Sequence, residues 1–191
     1  IVLGIFAMTS VGTAGSALYM VNHGFTTAAL FLVAAMLIRR RGSKRIPDFG
    51  GWRRVTPVLA GVFLMSGMSA LALPGLNSFV SEFLVLVGTF QRYRVAAVIA
   101  TLGIILAALY VLLMYQRMMT GPAPESAAGT KDMSHREKWV VAPLIAVFLV
   151  LGFYPKPVLD VINPAGARTL HYVGVTDPAP THPVTAEGAV K

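Results

Sequence analysis

Long stretches without a charged side chain constrain this sequence more than any other feature. Residues 16–38 contain no Asp, Glu, Lys or Arg and end abruptly at three consecutive arginines. Residues 95–116 form a second uncharged stretch. A helix of about 20 apolar residues crosses the hydrocarbon core of a bilayer, and both stretches reach that length. We therefore predict an all-α integral membrane protein, built as a polytopic bundle of transmembrane helices.

The composition excludes most classes of soluble enzyme. Only 13% of the 191 residues are charged and the mean hydropathy is +0.69, whereas a soluble domain carries about 25% charged residues. The sequence contains no cysteine. This excludes a disulfide framework, a thiolate zinc site, a cysteine nucleophile and a cysteine-ligated iron–sulfur cluster. His135, His171 and His182 are isolated in the sequence, so we expect no metal site.

Basic residues cluster in one segment and predict the orientation of the chain. The net charge is +8, and residues 39–54 hold seven Lys and Arg side chains against the single acid Asp48. Cytoplasmic loops beside transmembrane helices carry an excess of basic residues. We therefore expect loop 39–54 to be cytoplasmic, together with loop 117–133. We expect no nucleic-acid partner, because no soluble recognition element accompanies the basic residues.

Residues 55–90 predict one transmembrane helix that is broken at Pro74-Gly75. Proline has no backbone N–H to donate, and glycine adopts conformations that other residues avoid. The apolar stretch after the break, 78–90, is too short to cross a bilayer alone. Counting 55–90 as one crossing and 95–116 as the next returns the chain to the cytoplasmic side, in agreement with the charges.

The remaining segments complete the predicted organisation. We expect residues 1–10 to be the end of a truncated transmembrane helix, and Gly12 and Gly15 predict a turn before the next helix. Residues 134–153 predict the last transmembrane helix. The tail, 154–191, is rich in Pro, Ala, Thr and Gly, which is typical of an extended or partly disordered segment. The number of crossings puts this extramembrane tail on the outer side.

Two ionisable side chains lie inside the apolar segments. Glu82 is alone among the eight acidic residues in this respect, and His23 is alone among the four histidines. An ionisable group at the centre of a bilayer costs about 2.5–3.5 kcal/mol on insertion scales, and such groups usually mark ion or proton paths. We predict that Glu82 and His23 transfer protons. A structural hydrogen bond, for example a helix cap, is the alternative role for Glu82.

Small polar side chains accompany His23 along one face of its helix and predict a hydrated path. Histidine has a pKa of about 6.5, which suits a proton relay that works in both directions. The residues that would line this path are Ser16, Tyr19, Thr26 and Thr27, with Ser66 and Ser69 from the next helix. In the alternative interpretation His23 is a buried structural histidine, and the Ser and Thr side chains join neighbouring helices.

Three segments, in this order, resemble the proton-pumping, antiporter-like subunits of respiratory complex I. They are residues 22–31 (NHGFTTAALF), 73–83 (LPGLNSFVSEF) and 151–159 (LGFYPKPVL). The segments are similar to the family's histidine-bearing helix, its second broken helix and the end of its last transmembrane helix. Most of these subunits carry a lysine on the second broken helix, whereas Glu82 is typical of the subunit M family. Ser81 stands where a glycine commonly precedes that glutamate.

The resemblance implies a function in NADH:quinone oxidoreductase, in whose membrane arm these subunits lie. It implies that this chain binds no cofactor, and that NADH, FMN, iron–sulfur clusters and quinone bind to other subunits. Redox chemistry there would drive protons along a hydrated axis, with His23 as a relay and Glu82 exchanging protons with the outer face. The implied partners are the other membrane-arm subunits, protons and the lipids of the inner (cell) membrane.

The resemblance also implies that the chain is one portion of a longer subunit. The family's first broken helix, with its lysine and paired glutamate, has no counterpart here, so we expect a C-terminal portion. In this interpretation the chain belongs to a proton-translocating enzyme and carries no redox centre itself. The alternatives are a subunit of a multi-subunit cation/proton antiporter, which shares the fold, and a purely structural membrane subunit.

Overall fold

The structure is a computed structural model that describes residues 1–179, and the regular elements in that part of the chain are all helical. The predicted all-α fold is confirmed for those residues. Residues 180–191, the end of the predicted tail, lie outside the described residues. The α-helices are α1 (Val2–Phe6), α2 (Ser10–Arg41), α3 (Trp52–Val55), α4 (Pro57–Ala70), α5 (Asn77–Arg92), α6 (Arg94–Met119), α7 (His135–Phe153) and α8 (Lys156–Tyr172).

Helices α2 and α6 are each long and apolar enough to cross a membrane. They contain 32 and 26 residues, which correspond to about 48 and 39 Å at 1.5 Å per residue. Helices α7 and α8 pass the same test only as a pair, and the chain bends by 69° between them. These apolar helices are those of the predicted polytopic bundle.

The predicted helix break lies between α4 and α5. Residues 71–76 separate the two helices, and they include Ala72 and Gly75 with positive φ angles of 55° and 92°. The two helices have 14 and 16 residues, so neither is long enough to cross a core of about 30 Å alone. Gly152 of α7 packs directly on the break, where a Cβ atom would lie 2.6 Å from the carbonyl carbon of Gly75.

Helix α2 begins six residues earlier than the predicted start at residue 16, and Gly12 and Gly15 lie within it. The hydroxyl of Thr9 caps α2 by accepting a hydrogen bond from Gly12 N–H at 3.1 Å, and it donates to the carbonyl of Gly88 on α5 at 3.1 Å. A Cβ atom on Gly15 would approach the backbone of α5 to 2.7 Å. Small residues let membrane helices approach closely, so these glycines mark a helix contact instead of the predicted turn.

Loops 39–54 and 117–133 lie at the same end of the bundle. Arg40, at the end of α2, forms a two-pronged ion pair with Glu137 at the start of α7, with N···O distances of 3.0 and 2.7 Å. Asp132 accepts hydrogen bonds from the N–H groups of Val58 and Leu59, at the start of α4, at 2.7 and 3.1 Å. The predicted even number of membrane crossings between the two loops requires them to lie at the same end.

Segment 39–54 is packed against the helices, although its charges alone are typical of a solvated loop. The side chain of Trp52 is fully buried in an apolar cluster with Phe63, Met119 and Val141. Gly51 N–H donates to the carbonyl of Thr120 at 2.8 Å. The basic end of the bundle therefore has a core of its own.

Much of the predicted tail forms helix α8, which differs from the expected extended or disordered segment. Pro157 lies in the first turn, where the missing N–H of proline costs no intrahelical bond. Lys156 and Asp160 form an ion pair one turn apart at 2.6 Å, and such pairs favour the helix slightly. Proline content was therefore a poor indicator of disorder here.

The end of the described chain is held against α2 and α5, at the end of the bundle opposite loops 39–54 and 117–133. The carboxylate of Asp177 accepts a hydrogen bond from the backbone N–H of Ser10 at 2.7 Å. Arg92, at the end of α5, donates to the carbonyl of Thr176 at 2.7 Å. These two bonds tie the segment after α8 to the start of α2 and the end of α5.

Replacing Gly88 by alanine should destabilise the contact between α2 and α5, the most extensive helix pair among residues 1–179. The new Cβ atom would overlap the backbone of Gly12, and overpacking a tight contact costs about 1–3 kcal/mol. Gly103→Ala in α6 is the matched control, because nothing lies within 4 Å of its Cβ position. We expect a lower midpoint of thermal unfolding in detergent for Gly88→Ala than for Gly103→Ala. Equal midpoints would contradict the close contact.

Candidate functional site

Two asparagines hold the start of α5 against the middle of α2. Asn22 Nδ2 donates to the carbonyl of Asn77 at 2.6 Å, and Asn77 Nδ2 donates to the carbonyl of Asn22 at 3.2 Å. Both residues are fully buried. A buried amide without a partner is costly in an apolar surrounding. This reciprocal pair, the asparagine clasp, gives each Nδ2 group an acceptor and joins the two helices.

The asparagine clasp extends across the helix break to α4. Ser69, near the end of α4, donates to Asn77 Oδ1 at 2.6 Å, and its hydroxyl oxygen lies 2.7 Å from Thr26 Oγ1. Asn77 Nδ2 also donates to Thr26 Oγ1 at 3.3 Å. All three side chains are buried. Side-chain hydrogen bonds therefore join α2, α4 and α5 at the level of the break.

One further bond of the clasp sets the relative position of the two predicted proton carriers. Asn22 Nδ2 donates to Ser81 Oγ at 3.1 Å. Asn22 directly precedes His23 in the chain, and Ser81 directly precedes Glu82. The hydrogen bond therefore holds α2 and α5 together at the level of His23 and Glu82.

His23 lies on the exposed side of α2, in a row with Tyr19 and Thr27. Residues four apart share one face of a helix. Thr27 Oγ1 lies 3.3 Å from His23 Nε2, and the rings of Tyr19 and His23 stack with centroids 6.3 Å apart. A neutral imidazole has one nitrogen that donates and one that accepts. Within the described chain His23 is exposed, whereas the alternative interpretation expects a buried histidine, and its ring has polar neighbours on both sides.

Glu82 lies in the second turn of α5 and is half-buried. Among residues 1–179 its carboxylate has no side-chain hydrogen bond and no ion pair. The structural hydrogen bond considered as an alternative role for Glu82 is thus not formed in the described chain.

The other residues predicted to line a hydrated path are used in hydrogen bonds within the protein. Thr26 and Ser69 belong to the asparagine clasp. Ser16 and Ser66 are buried, and each donates to a backbone carbonyl at 2.8 Å. The structure therefore brings Tyr19 and Thr27 next to His23, and it uses the remaining hydroxyls to join or complete helices.

Asn22 and Asn77 are not among the predicted site residues, although both lie in or beside apolar segments. Charged side chains and histidines stand out in such segments, whereas a neutral amide does not. A buried amide side chain nevertheless needs several hydrogen-bond partners. An asparagine in an apolar segment could therefore have indicated a contact between helices. Asn22 Oδ1 is buried without a donor among residues 1–179, so the clasp leaves one acceptor unused in the residue next to His23.

The candidate site contains titratable side chains. Within residues 1–179, no group of three or more His, Asp and Glu side chains is arranged to hold a metal ion. His171 packs against the ring of Tyr172 at 6.2 Å, and His182 lies outside the described residues. His23 stacks with Tyr19 on α2, and Glu82 lies at the same level on α5. All three side chains can donate or accept protons.

Comparison with known families finds one model that matches the chain over residues 1–109, described as "NADH:quinone oxidoreductase/Mrp antiporter, TM". The matched range includes α2, α4 and α5, and thus both asparagines of the clasp, His23 and Glu82. It covers more than half of the 191 residues.

Curated relatives and a solved structure resemble the chain over most of its length. NADH-quinone oxidoreductase subunit M of Mycobacterium tuberculosis is 56% identical over 99% of this chain and 34% of the relative. Subunit M of Rhodobacter capsulatus is 40% identical over 88% of this chain and 33% of the relative. A chain in the structure "Respiratory complex I from Thermus thermophilus with bound NADH" is 29% identical, with a TM-score of 0.83 over 91% of this chain and 36% of that chain. This chain spans about one third of the length of the relatives it matches.

Replacing Asn77 by leucine should weaken the association of α2, α4 and α5. The substitution removes the hydrogen bonds of the Asn77 side chain to Ser69, to Thr26 and to the carbonyl of Asn22, while the bond between Ser69 and Thr26 remains. Leaving a buried polar group unpaired costs about 1–3 kcal/mol. The control is Asn163→Leu, because Asn163 is exposed on α8. We expect Asn77→Leu to lower the midpoint of thermal unfolding by several degrees more than Asn163→Leu does. Indistinguishable midpoints would mean that the asparagine clasp contributes nothing to stability.

Proposed function

This chain belongs to the NADH:quinone oxidoreductase/Mrp antiporter transmembrane family, and on that premise we propose that it is part of a proton-translocating subunit of an NADH:quinone oxidoreductase. The names of the curated relatives support subunit M as the counterpart. In this proposal NADH, FMN, iron–sulfur clusters and quinone bind to other subunits, and this chain carries no redox centre. Its partners are the other membrane-arm subunits and the surrounding lipids.

The observation that carries the proposal is the hydrogen bond between Asn22 and Ser81, which holds α2 and α5 together at the level of His23 and Glu82. Glu82 is half-buried and has no hydrogen-bond or ion-pair partner among residues 1–179, so its oxygens are available to accept and release a proton. Tyr19 stacks on His23, with ring centroids 6.3 Å apart. In this proposal a proton that His23 releases reaches Glu82 through intervening water, and the same groups serve the return.

The asparagine clasp positions these groups and does not itself exchange protons. Asn22 and Ser81, which directly precede His23 and Glu82, are hydrogen-bonded at 3.1 Å. Proton transfer depends steeply on donor–acceptor geometry, so a rigid contact beside the two titratable groups keeps their separation constant. The break at 71–76 contributes by letting α5 start at the level of Asn22.

The free energy of moving a proton against the membrane potential sets the size of the electrostatic change that the rest of the complex must supply. Moving one charge across 100 mV corresponds to about 2.3 kcal/mol, and one pKa unit corresponds to about 1.4 kcal/mol. A change in the proton affinity of Glu82 by roughly two pKa units, driven by redox chemistry elsewhere, is therefore sufficient to load and unload one proton against that potential.

We also propose the orientation of the chain in the inner (cell) membrane. The ion pair between Arg40 and Glu137 supports a common side for loops 39–54 and 117–133. The excess of basic residues in the first loop favours the cytoplasmic side. The end of the described chain, tied to Ser10 and Arg92 at the opposite end, then lies on the outer side.

A subunit of a multi-subunit cation/proton antiporter is the second candidate, because the family description includes such antiporters. Purification through a tag on the full-length subunit distinguishes the two. NADH-oxidising and quinone-reducing subunits are expected to copurify with it. If they do not, the antiporter replaces the respiratory complex as the proposal.

Replacing Glu82 by glutamine should uncouple proton translocation from NADH oxidation, because the amide keeps the shape of the side chain but has no titratable carboxyl group. The measurement is the ratio of protons translocated to NADH oxidised, for the purified complex in proteoliposomes. We expect proton transfer through this subunit to fall roughly tenfold or more, in line with the loss of an acid–base group. Glu125→Gln is the matched control, since Glu125 is exposed in the loop after α6. Unchanged pumping by an assembled Glu82→Gln complex would leave the chain with a structural role only.

Replacing His23 by alanine should slow proton delivery to Glu82 while the helices stay together, because His23 is exposed and lies outside the asparagine clasp. The same proteoliposome assay reports the effect, and we expect a loss of similar size to that of Glu82→Gln. His171→Ala on α8 is the control, since His171 is exposed and distant in sequence from the site. Normal turnover and pumping in His23→Ala would exclude the relay role of His23.

A further inference from the structure

We propose that a cavity at the basic end of the bundle binds the phosphate headgroup of an anionic phospholipid. The cavity, here called the basic cavity, lies between the end of α2 and the start of α7 and has a volume of about 610 Å³. The proposal concerns a ligand of the protein surface and goes beyond the proton transfer proposed above.

Four cationic side chains meet in the basic cavity, against two acidic ones. The cations are Arg39, Arg40, Lys131 and Arg136, and the acids are Asp132 and Glu137. The cavity therefore carries two positive charges in excess. A basic pocket between transmembrane helices on the cytoplasmic side is suited to an anionic lipid headgroup.

Arg40 is already engaged by the protein. Its guanidinium donates to both carboxylate oxygens of Glu137 at 3.0 and 2.7 Å, and to the carbonyls of Met36, Lys131 and Asp132 at 2.9–3.2 Å. The side chain is only 12% exposed. Arg40 therefore builds one wall of the cavity and is not the group that an external anion would recruit.

Both acids of the cavity are engaged as well. Glu137 pairs with Arg40 and also accepts from the backbone N–H of Ser134 at 2.7 Å. Asp132 accepts from the backbone N–H groups at the start of α4. Neither carboxylate is therefore available to neutralise the remaining cations of the cavity.

Three cations remain for a ligand. Arg39, Lys131 and Arg136 are exposed, and among residues 1–179 none of them forms an ion pair. Arginine matches phosphate oxygens with two parallel N–H groups, and lysine supplies a compact charge. These three side chains line the cavity, so they can bind a phosphate without breaking an ion pair of the described chain.

The cavity also has apolar lining residues, which favours a lipid over a free anion. They include Leu32, Met36 and Val140, and Leu32 lies seven residues before Arg39, which is about 10 Å along the helix. Trp139, next to Val140 in the chain, is 79% exposed, and tryptophan is enriched at the level of lipid headgroups. An amphiphile with a phosphate at the charged end and an acyl chain along α2 and α7 matches both the basic and the apolar lining.

The experiment uses the intact complex in nanodiscs of phosphatidylcholine that contain a trace of photoactivatable phosphatidylglycerol. After illumination, mass spectrometry maps the peptides that carry the label. We expect labelling of the segments 32–40 and 131–140. The variant Arg39→Gln/Lys131→Gln/Arg136→Gln should reduce that labelling about tenfold or more, because each basic side chain near the membrane surface contributes to anionic lipid binding.

The matched control is Arg45→Gln/Arg53→Gln/Arg54→Gln, which removes three exposed charges of the same basic loop outside the cavity. It should keep the labelling of the wild type. Lys131→Gln alone should already reduce labelling several-fold, and Lys131→Arg should retain it. These single variants test the proposal even if the triple variant fails to assemble.

Three results would overturn the proposal. One is equal labelling by a photoactivatable phosphatidylcholine, which would show that the headgroup charge is irrelevant. Another is wild-type labelling in the triple variant. The third is displacement of the label by millimolar inorganic phosphate at constant ionic strength, which would identify a site for a free anion instead of a lipid.

Discussion

The absence of water inside a bilayer is the constraint on which this structure depends. Where a helix breaks at that depth, polar groups must find partners within the protein, and here the break at 71–76 lies beside the asparagine clasp. Asn22 and Asn77 bond reciprocally between α2 and α5, and Ser69 connects the end of α4 to the same amide. The close approach of glycine backbones on α2 and α5 brings these short side chains within reach. Packing and hydrogen bonding therefore support each other at one level of the bundle.

This arrangement separates structural polar groups from those proposed to act in proton transfer. The serine and threonine hydroxyls on the inner faces of the helices are buried and bonded within the protein. Glu82 and His23 lie one residue beyond the bonded pair Ser81 and Asn22, where the helix turns each side chain away from the clasp. A side chain that exchanges protons must be able to bond with different partners. The preceding residues, Ser81 and Asn22, instead form the fixed hydrogen bond between the two helices.

The charged end of the bundle also contains both side chains that are bonded within the protein and side chains that are exposed. Arg40 is partly buried, and its guanidinium donates hydrogen bonds to Glu137 and to backbone carbonyls. These bonds join α2 to the loop before α7. The surrounding cations remain exposed and unpaired within the described chain. The basic segment beside the membrane thus contains both a partly buried arginine that joins helices and exposed cations. The net charge of the segment, which predicted its orientation, does not show which cations are paired and which are exposed.

The sequence by itself determined the helical membrane fold, the break at Pro74-Gly75 and the two ionisable residues, Glu82 and His23, because each follows from the hydropathy and local chemistry of a single segment. Only the tertiary structure decided that Gly12 lies in a helix contact and that Asn22 pairs with a residue 55 positions away. It also decided which hydroxyls are bonded and that the segment after Pro155 is a helix. Hydrogen-bond partners and close contacts depend on how separate helices pack against one another, and no single stretch of sequence contains that information.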